Sequence, residues 1–311
     1  MRKITALFVA LSISLCLFYT AAFATVNQQV QVSFTDDGKP LENAVFSVYS
    51  LGDVNDGKII PNVEFSSYKV SFDISDSEKL KKLADTLYAY ILRDKADPYY
   101  TDTSDKNGII DFNKIAFDTG AYLITAENYY DGNTYYIFEP AIVILPYGNS
   151  DSLKINPKFE KVPDDITSSY KVLKVWVGDN KDERPDEIEF ELLRDGEVFE
   201  TVILDSENNW KYQWDDLSPQ YNWTVTEKNV PDNYIVSLSV SDKTFIYTNT
   251  AVPSESVTPP SEEITTPEDG ENDKIPVTGL LRWPVPYLAM AGILLFIIGY
   301  VKYRKSEHAD V

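Results

Sequence analysis

Apolar and polar residues alternate with a period of two along much of this chain. Val30-Gln31-Val32-Ser33-Phe34 alternates, and Asp36-Asp37-Gly38 after it is a turn signal. Ala44 to Tyr49, Ile109 to Phe117, Ala121 to Glu127, Tyr135 to Leu145 and Leu153 to Phe159 read as further strands. One stretch breaks the pattern. From Ser77 to Leu92, the residues Leu80, Leu83, Ala84, Leu87 and Ile91 recur at helical spacing and predict one helix. Seven short runs follow: Tyr170–Val177, Glu187–Arg194, Glu197–Leu204, Trp210–Trp214, Asn222–Glu227, Tyr234–Val240 and Thr244–Thr250. Seven strands separated by turn signals predict a sandwich. The expectation is an all-β protein of two modules in tandem, 25–161 with a short helix and 170–250 without one.

The two ends follow another pattern. Arg2 and Lys3 precede an apolar run from Ile4 to Tyr19, then Ala22-Phe23-Ala24. That order predicts a secretory signal over 1–24, cut after Ala24. At the other end, 251–274 is rich in Pro, Ser, Thr and Glu and predicts an extended spacer. Residues 283–301 are apolar and long enough for a membrane-crossing helix. Lys302, Arg304 and Lys305 in the tail 302–311 would hold that end in the cytoplasm.

Composition narrows the chemistry. The net charge of -21 opposes binding to nucleic acid, whose phosphates need Lys and Arg. The single Cys, Cys16, and the single His, His308, both lie in the ends expected to be removed. The processed chain would then hold no thiol nucleophile, no Ser-His-Asp triad and no ordinary zinc ligand set. No metal or cofactor is implied, and an enzyme is not expected. Asp105-Lys106-Asn107-Gly108 reads as a β-turn, because calcium-loop spacing would put Thr103 first and Lys114 last.

Ile275-Pro276-Val277-Thr278-Gly279, followed by the apolar run and the basic tail, resembles the sorting signal of Gram-positive wall-anchored proteins. That motif is Leu-Pro-x-Thr-Gly, with Ile275 here in place of Leu. The resemblance implies that a sortase attacks the Thr278 carbonyl, releases Gly279 onward and passes Thr278 to an amine. The membrane would hold the chain only before that step.

Residues 170–250 resemble a Cna B-type domain. The match is carried by Lys174-Val175-Trp176, Asp179-Asn180, Arg184-Pro185, Leu193-Arg194-Asp195-Gly196, Trp210-Lys211-Tyr212, Trp223-Thr224-Val225-Thr226-Glu227 and Tyr247-Thr248-Asn249-Thr250. Such domains often carry an intramolecular Lys–Asn isopeptide bond, and Lys174, Glu227 and Asn249 match its reacting residues. The strand phase agrees independently. Lys174 shares its face with Val172 and Trp176, Glu227 with Trp223 and Val225, and Asn249 with Phe245 and Tyr247. An ordinary salt bridge or hydrogen-bonded trio at the sheet edge is the alternative. Residues 25–161 resemble, less specifically, the amino-terminal domain of pilin subunits. Glu127 and Asn156 sit there on strands, but the first strand has no Lys, so no bond is expected.

Ile155-Asn156-Pro157-Lys158 resembles the pilin motif whose Lys accepts the next subunit, with Asn156 where Tyr is usual. Lys158 is therefore a possible pilin acceptor, and a solvated strand-end Lys is the alternative. Together these resemblances imply a wall-anchored structural protein, a minor or basal pilin subunit. The competing reading is a stand-alone adhesin for a host protein or glycan. The implied partners are sortase and either a peptidoglycan precursor or another pilin subunit.

Overall fold

The computed structural model describes residues 25–26 and 28–252. The expected signal segment, the sortase motif, the membrane helix, the tail and all but the first two residues of the spacer lie outside them. Among the described residues no helix is long and apolar enough to cross a membrane.

The first module contains β1 (Gln29–Ser33), β2 (Val45–Asn55), β3 (Lys58–Pro61), α1 (Ser77–Asp94), β4 (Tyr100–Thr103) and β5 (Ile109–Asp111). It continues with β6 (Gly120–Ala126), β7 (Thr134–Phe138), β8 (Ala141–Leu145), β9 (Ser152–Ile155) and β10 (Phe159–Pro163). Three expected long strands are each broken. Ile109 to Phe117 is interrupted by a 3-10 turn over Phe112–Lys114, which the Asp111 carboxylate caps by accepting from the Asn113 N–H. Tyr135 to Leu145 divides at Glu139-Pro140, and Leu153 to Phe159 divides before Pro157. Proline has no N–H to give a ladder and so interrupts pairing. The turn at Asp105 forms as read: its carboxylate accepts from the N–H groups of Asn107 and Ile109. Gly108 there has φ +72°, and a Cβ would stand 2.2 Å from the Phe34 carbonyl oxygen, so only glycine fits.

The central sheet runs in the order β8-β6-β2-β3, with β4 also paired to β2. Both of its faces are covered, which is why every residue of β6 is buried. Phe46, Val48, Tyr122 and Ile124 pack into a core with Val30, Val32, Phe34, Ile110 and Phe112 from the sheet β9-β1-β5 and its neighbourhood. Tyr49, Leu51, Ala121, Leu123 and Ile142 belong instead to the core that holds α1.

Asp76 caps α1, its carboxylate accepting from the Lys79 N–H at 2.9 Å. Lys95, in the left-handed region at φ 53°, closes its end. Between residues 83 and 91 every side chain except Tyr88 is buried. A helix buried nearly all round must have neighbours on two sides. One is the first module's sheet, and the other is the second module.

The second module is a two-sheet sandwich made of β11 (Ser168–Val177), β12 (Glu187–Arg194), β13 (Glu197–Asp205), β14 (Lys211–Leu217), β15 (Trp223–Glu227), β16 (Tyr234–Ser241) and β17 (Thr244–Ala251). All seven expected strands form. One sheet has the order β14-β11-β17-β16 and the other β13-β12-β15. The first and last strands, β11 and β17, are parallel neighbours, with Lys174 opposite Tyr247 and Trp176 opposite Asn249.

Strand β16 is an edge, yet its N–H groups do not face water. The Val236 N–H donates to the Lys69 carbonyl (2.8 Å), Leu238 to the Thr86 hydroxyl (2.8 Å) and Val240 to the Asp85 carboxylate (3.3 Å). All three acceptors belong to the first module. An unpaired edge invites pairing with other chains, and this covering removes it. Leu83, Leu87, Tyr90 and Ile91 of α1 lie in one apolar core with Val225, Val236, Leu238 and Tyr247. The two segments read as tandem modules thus share a core.

Candidate functional site

Alternation along β11 puts Tyr170, Val172 and Lys174 on the inner face, where all three are buried. Glu227 ends β15, a strand buried at every position. Asn249 follows Phe245 and Tyr247 inward along β17. Lys174 is 3 % exposed, and Glu227 and Asn249 are 0 % exposed. The Lys174 Nζ donates to Glu227 Oε2 at 2.6 Å. The Asn249 Nδ2 donates to the other oxygen, Oε1, at 2.8 Å. The carboxyl of Glu227 therefore bridges an amine and an amide that come from the first and last strands.

The walls are aromatic. The ammonium of Lys174 lies 4.8 Å from the Trp176 ring centre and 5.9 Å from that of Phe190. Phe190 meets Tyr247 edge-on at 5.1 Å. Sequence phase located the three polar residues. Phe190 escaped it because it sits on the facing sheet, and only register, which pairs it with Glu227, brings it near.

Desolvation governs the electrostatics. Burial pushes the Lys174 amine down to about 8, against the opposing pull of Glu227. Burial pushes the Glu227 carboxyl up, against Lys174 and the Asn249 hydrogen bond. Both shifts favour the neutral forms. The Asn249 Oδ1 is buried without a hydrogen-bond partner. Half a turn of that amide would present its oxygen to a protonated Glu227. A neutral amine, a carboxylic acid and an amide in this order can exchange an amide bond.

Other candidates are differently placed. Glu127 and Asn156 of the first module are both exposed. Lys158 is exposed just before β10, and its carbonyl accepts from the Glu139 N–H at 3.0 Å. It borders a cleft of about 250 Å³ lined by Phe46, Phe138, Ile124 and Ile155. Between the modules lies a larger cleft of about 660 Å³, with Tyr88, Tyr221, Trp223 and Asn128 on its walls. Among the described residues no three His, Cys, Asp or Glu side chains gather as a metal site.

Residues 170–250 match the family described as Cna protein B-type domain. A curated relative, the collagen adhesin of Staphylococcus aureus, is 43% identical over 74 residues. That alignment covers 21% of this chain and 6% of the adhesin, so the chain spans a small part of that protein's length. A single B repeat unit of the collagen binding surface protein Cna of Staphylococcus aureus aligns over 73% of this chain and 98% of its own, at 19% identity and a TM-score of 0.27. The shaft pilin SpaA of Lactobacillus rhamnosus GG aligns over 74% of this chain and 99% of its own, at 14% identity and a TM-score of 0.25.

Proposed function

We propose that this chain is a wall-anchored structural surface protein, a minor or basal pilin subunit, stiffened by an isopeptide bond that it forms itself. The buried trio of Lys174, Glu227 and Asn249 carries the reading, and the Cna B-type match over 170–250 supports it. Three buried polar side chains would be costly without a use. In the proposed reaction a proton passes from Lys174 to Glu227, leaving a free amine. The amine nitrogen attacks the Asn249 side-chain carbon while the Glu227 acid donates to its oxygen. The bond from that carbon to Nδ2 breaks, Glu227 directs the proton to the departing nitrogen, and ammonia leaves. An amide then joins β11 to β17.

Anchoring rests on the sequence: Ile275 to Gly279, the apolar run and the basic tail support transfer of Thr278 by a sortase to peptidoglycan or to a pilin lysine. The adhesin reading draws support from the aromatic 660 Å³ cleft, which is of a size and lining suited to a small glycan.

Intact mass tests the reading. The secreted protein is expected to be about 17 Da lighter than its sequence mass, the mass of ammonia lost when an amine displaces an amide nitrogen. Glu227→Ala is expected to have its full sequence mass. A wild-type protein at full sequence mass sinks the proposal.

A further inference from the structure

We propose that helix α1 of the first module is a wall of the second module's reaction chamber, and that Tyr90 is the side chain sealing it against water. The inference rests on the cross-linking reading above and extends it, since the reaction then depends on residues outside the Cna B-type segment.

The topology makes such a wall necessary. β15 is the edge of one sheet and β16 the edge of the other, so the sandwich is open where those edges face each other. Helix α1 packs on both strands. Its Leu83, Leu87 and Tyr90 share a core with Val225, Leu238 and Tyr247. Val225 is in phase with Glu227, and Tyr247 with Asn249, so helix and trio border the same space. The hydrogen bonds from Leu238 to Thr86 and from Val240 to Asp85 pin the helix along the β16 edge.

Tyr90 is 2 % exposed. Its ring stands edge-on to Tyr68 at 5.0 Å, and the Arg93 guanidinium lies 4.3 Å from its centre. Burial, and after it the charge of Glu227, pushes the Tyr90 hydroxyl pKa up. That hydroxyl has no hydrogen-bond partner. A buried polar atom without a partner adds nothing to the fold, so what the position uses is the ring. The other charged groups on this side are already paired: Arg93 with Asp94, Lys69 with Asp232 and Asp85 with Lys81. Lys69 still acts on Glu227 through space and opposes its rise, but burial is the largest influence on both members of the pair.

Tyr90 is thus a positioning residue, acting through the solvation of Lys174 and Glu227. Opening the seal lets water favour the charged pair over the neutral, reactive one. The test follows bond formation by intact mass after cell-free synthesis of the chain from residue 25, across a pH series. For Tyr90→Ala the rate at neutral pH is expected to fall about tenfold, one unit of change in the pKa difference between the two partners being worth that much. Its alkaline limit is expected to move up toward the ordinary lysine value. Tyr90→Phe, which keeps the ring, is expected to match wild type. If the alanine variant does not fold by near-ultraviolet circular dichroism, Tyr90→Leu serves the same comparison. A variant lacking the ring but matching wild type in rate and pH limits overturns the inference while leaving the cross-link intact. A wild-type protein that never loses the mass overturns the cross-linking reading itself.

Discussion

In the proposed reaction the Lys174–Glu227 pair is competent only with one proton between the two groups. With two protons the amine is an ammonium and cannot attack. With none, Glu227 is a carboxylate and cannot protonate the leaving nitrogen. Burial lowers Lys174 to about 8 and raises Glu227, so the two limits move toward each other. The rate of bond formation is therefore expected to be bell-shaped in pH. It should fall above about 8, where the shared proton is lost, and fall again in acid once Glu227 and Lys174 are both protonated. Mass measured against time at fixed pH values checks both limbs. A rate still climbing between pH 8 and 10 would contradict the assigned roles, because Lys174 would then be titrating as an ordinary exposed lysine. Glu227→Gln should be inactive at every pH, since an amide can neither take the lysine proton nor return it.

At the scale of elements, α1 carries more than its own module. Thr86 accepts from the Leu238 N–H and donates to the Lys82 carbonyl at 2.6 Å. Thr86→Val keeps the shape and leaves a buried N–H unpaired, which should cost about 1–3 kcal/mol. The urea midpoint is expected to fall accordingly, and Thr86→Ser to recover most of it. The existence of α1 was legible, because Leu80, Leu83, Leu87 and Ile91 keep helical spacing. Its partner was not. Asp85, Thr86 and Tyr90 look like the polar flank of an amphipathic helix, and nothing local tells that a strand some 150 residues on in sequence covers them. Most of the sandwich strands were legible because they have one wet and one dry face, which fixes their phase, whereas β15 is buried at every position. The trio was legible for the same reason: three polar residues fell in phase with apolar neighbours. The breaks at Pro140 and Pro157 could have been read from proline alone, while the chamber wall at Phe190 needed the register between strands.

For the whole molecule, the question is what the chain is joined to. Lys158 stands exposed beside an apolar cleft that also contains Phe138 and Ile155. If it accepts the Thr278 of another subunit, wall digestion should release a ladder of high-mass species that disappears in Lys158→Ala. A single band unchanged by that substitution would point to the stand-alone protein. The internal bond would act on stability at this scale as well. Closing a loop of about 75 residues removes on the order of 4 kcal/mol of unfolded-chain entropy. That is comparable with the whole stability of many domains.

The parallel pairing of β11 with β17 has a mechanical consequence. A pull entering at Ser168 and leaving at Ala251 would shear two adjacent strands. With Lys174 joined to Asn249, tension passes from one to the other through a single side-chain bridge. The chain between them, close to 25 nm long when drawn out at ~3.5 Å per residue, would bear none of it. Under load the second module would keep its length until a covalent bond broke, so a surface structure built this way transmits force without paying out slack.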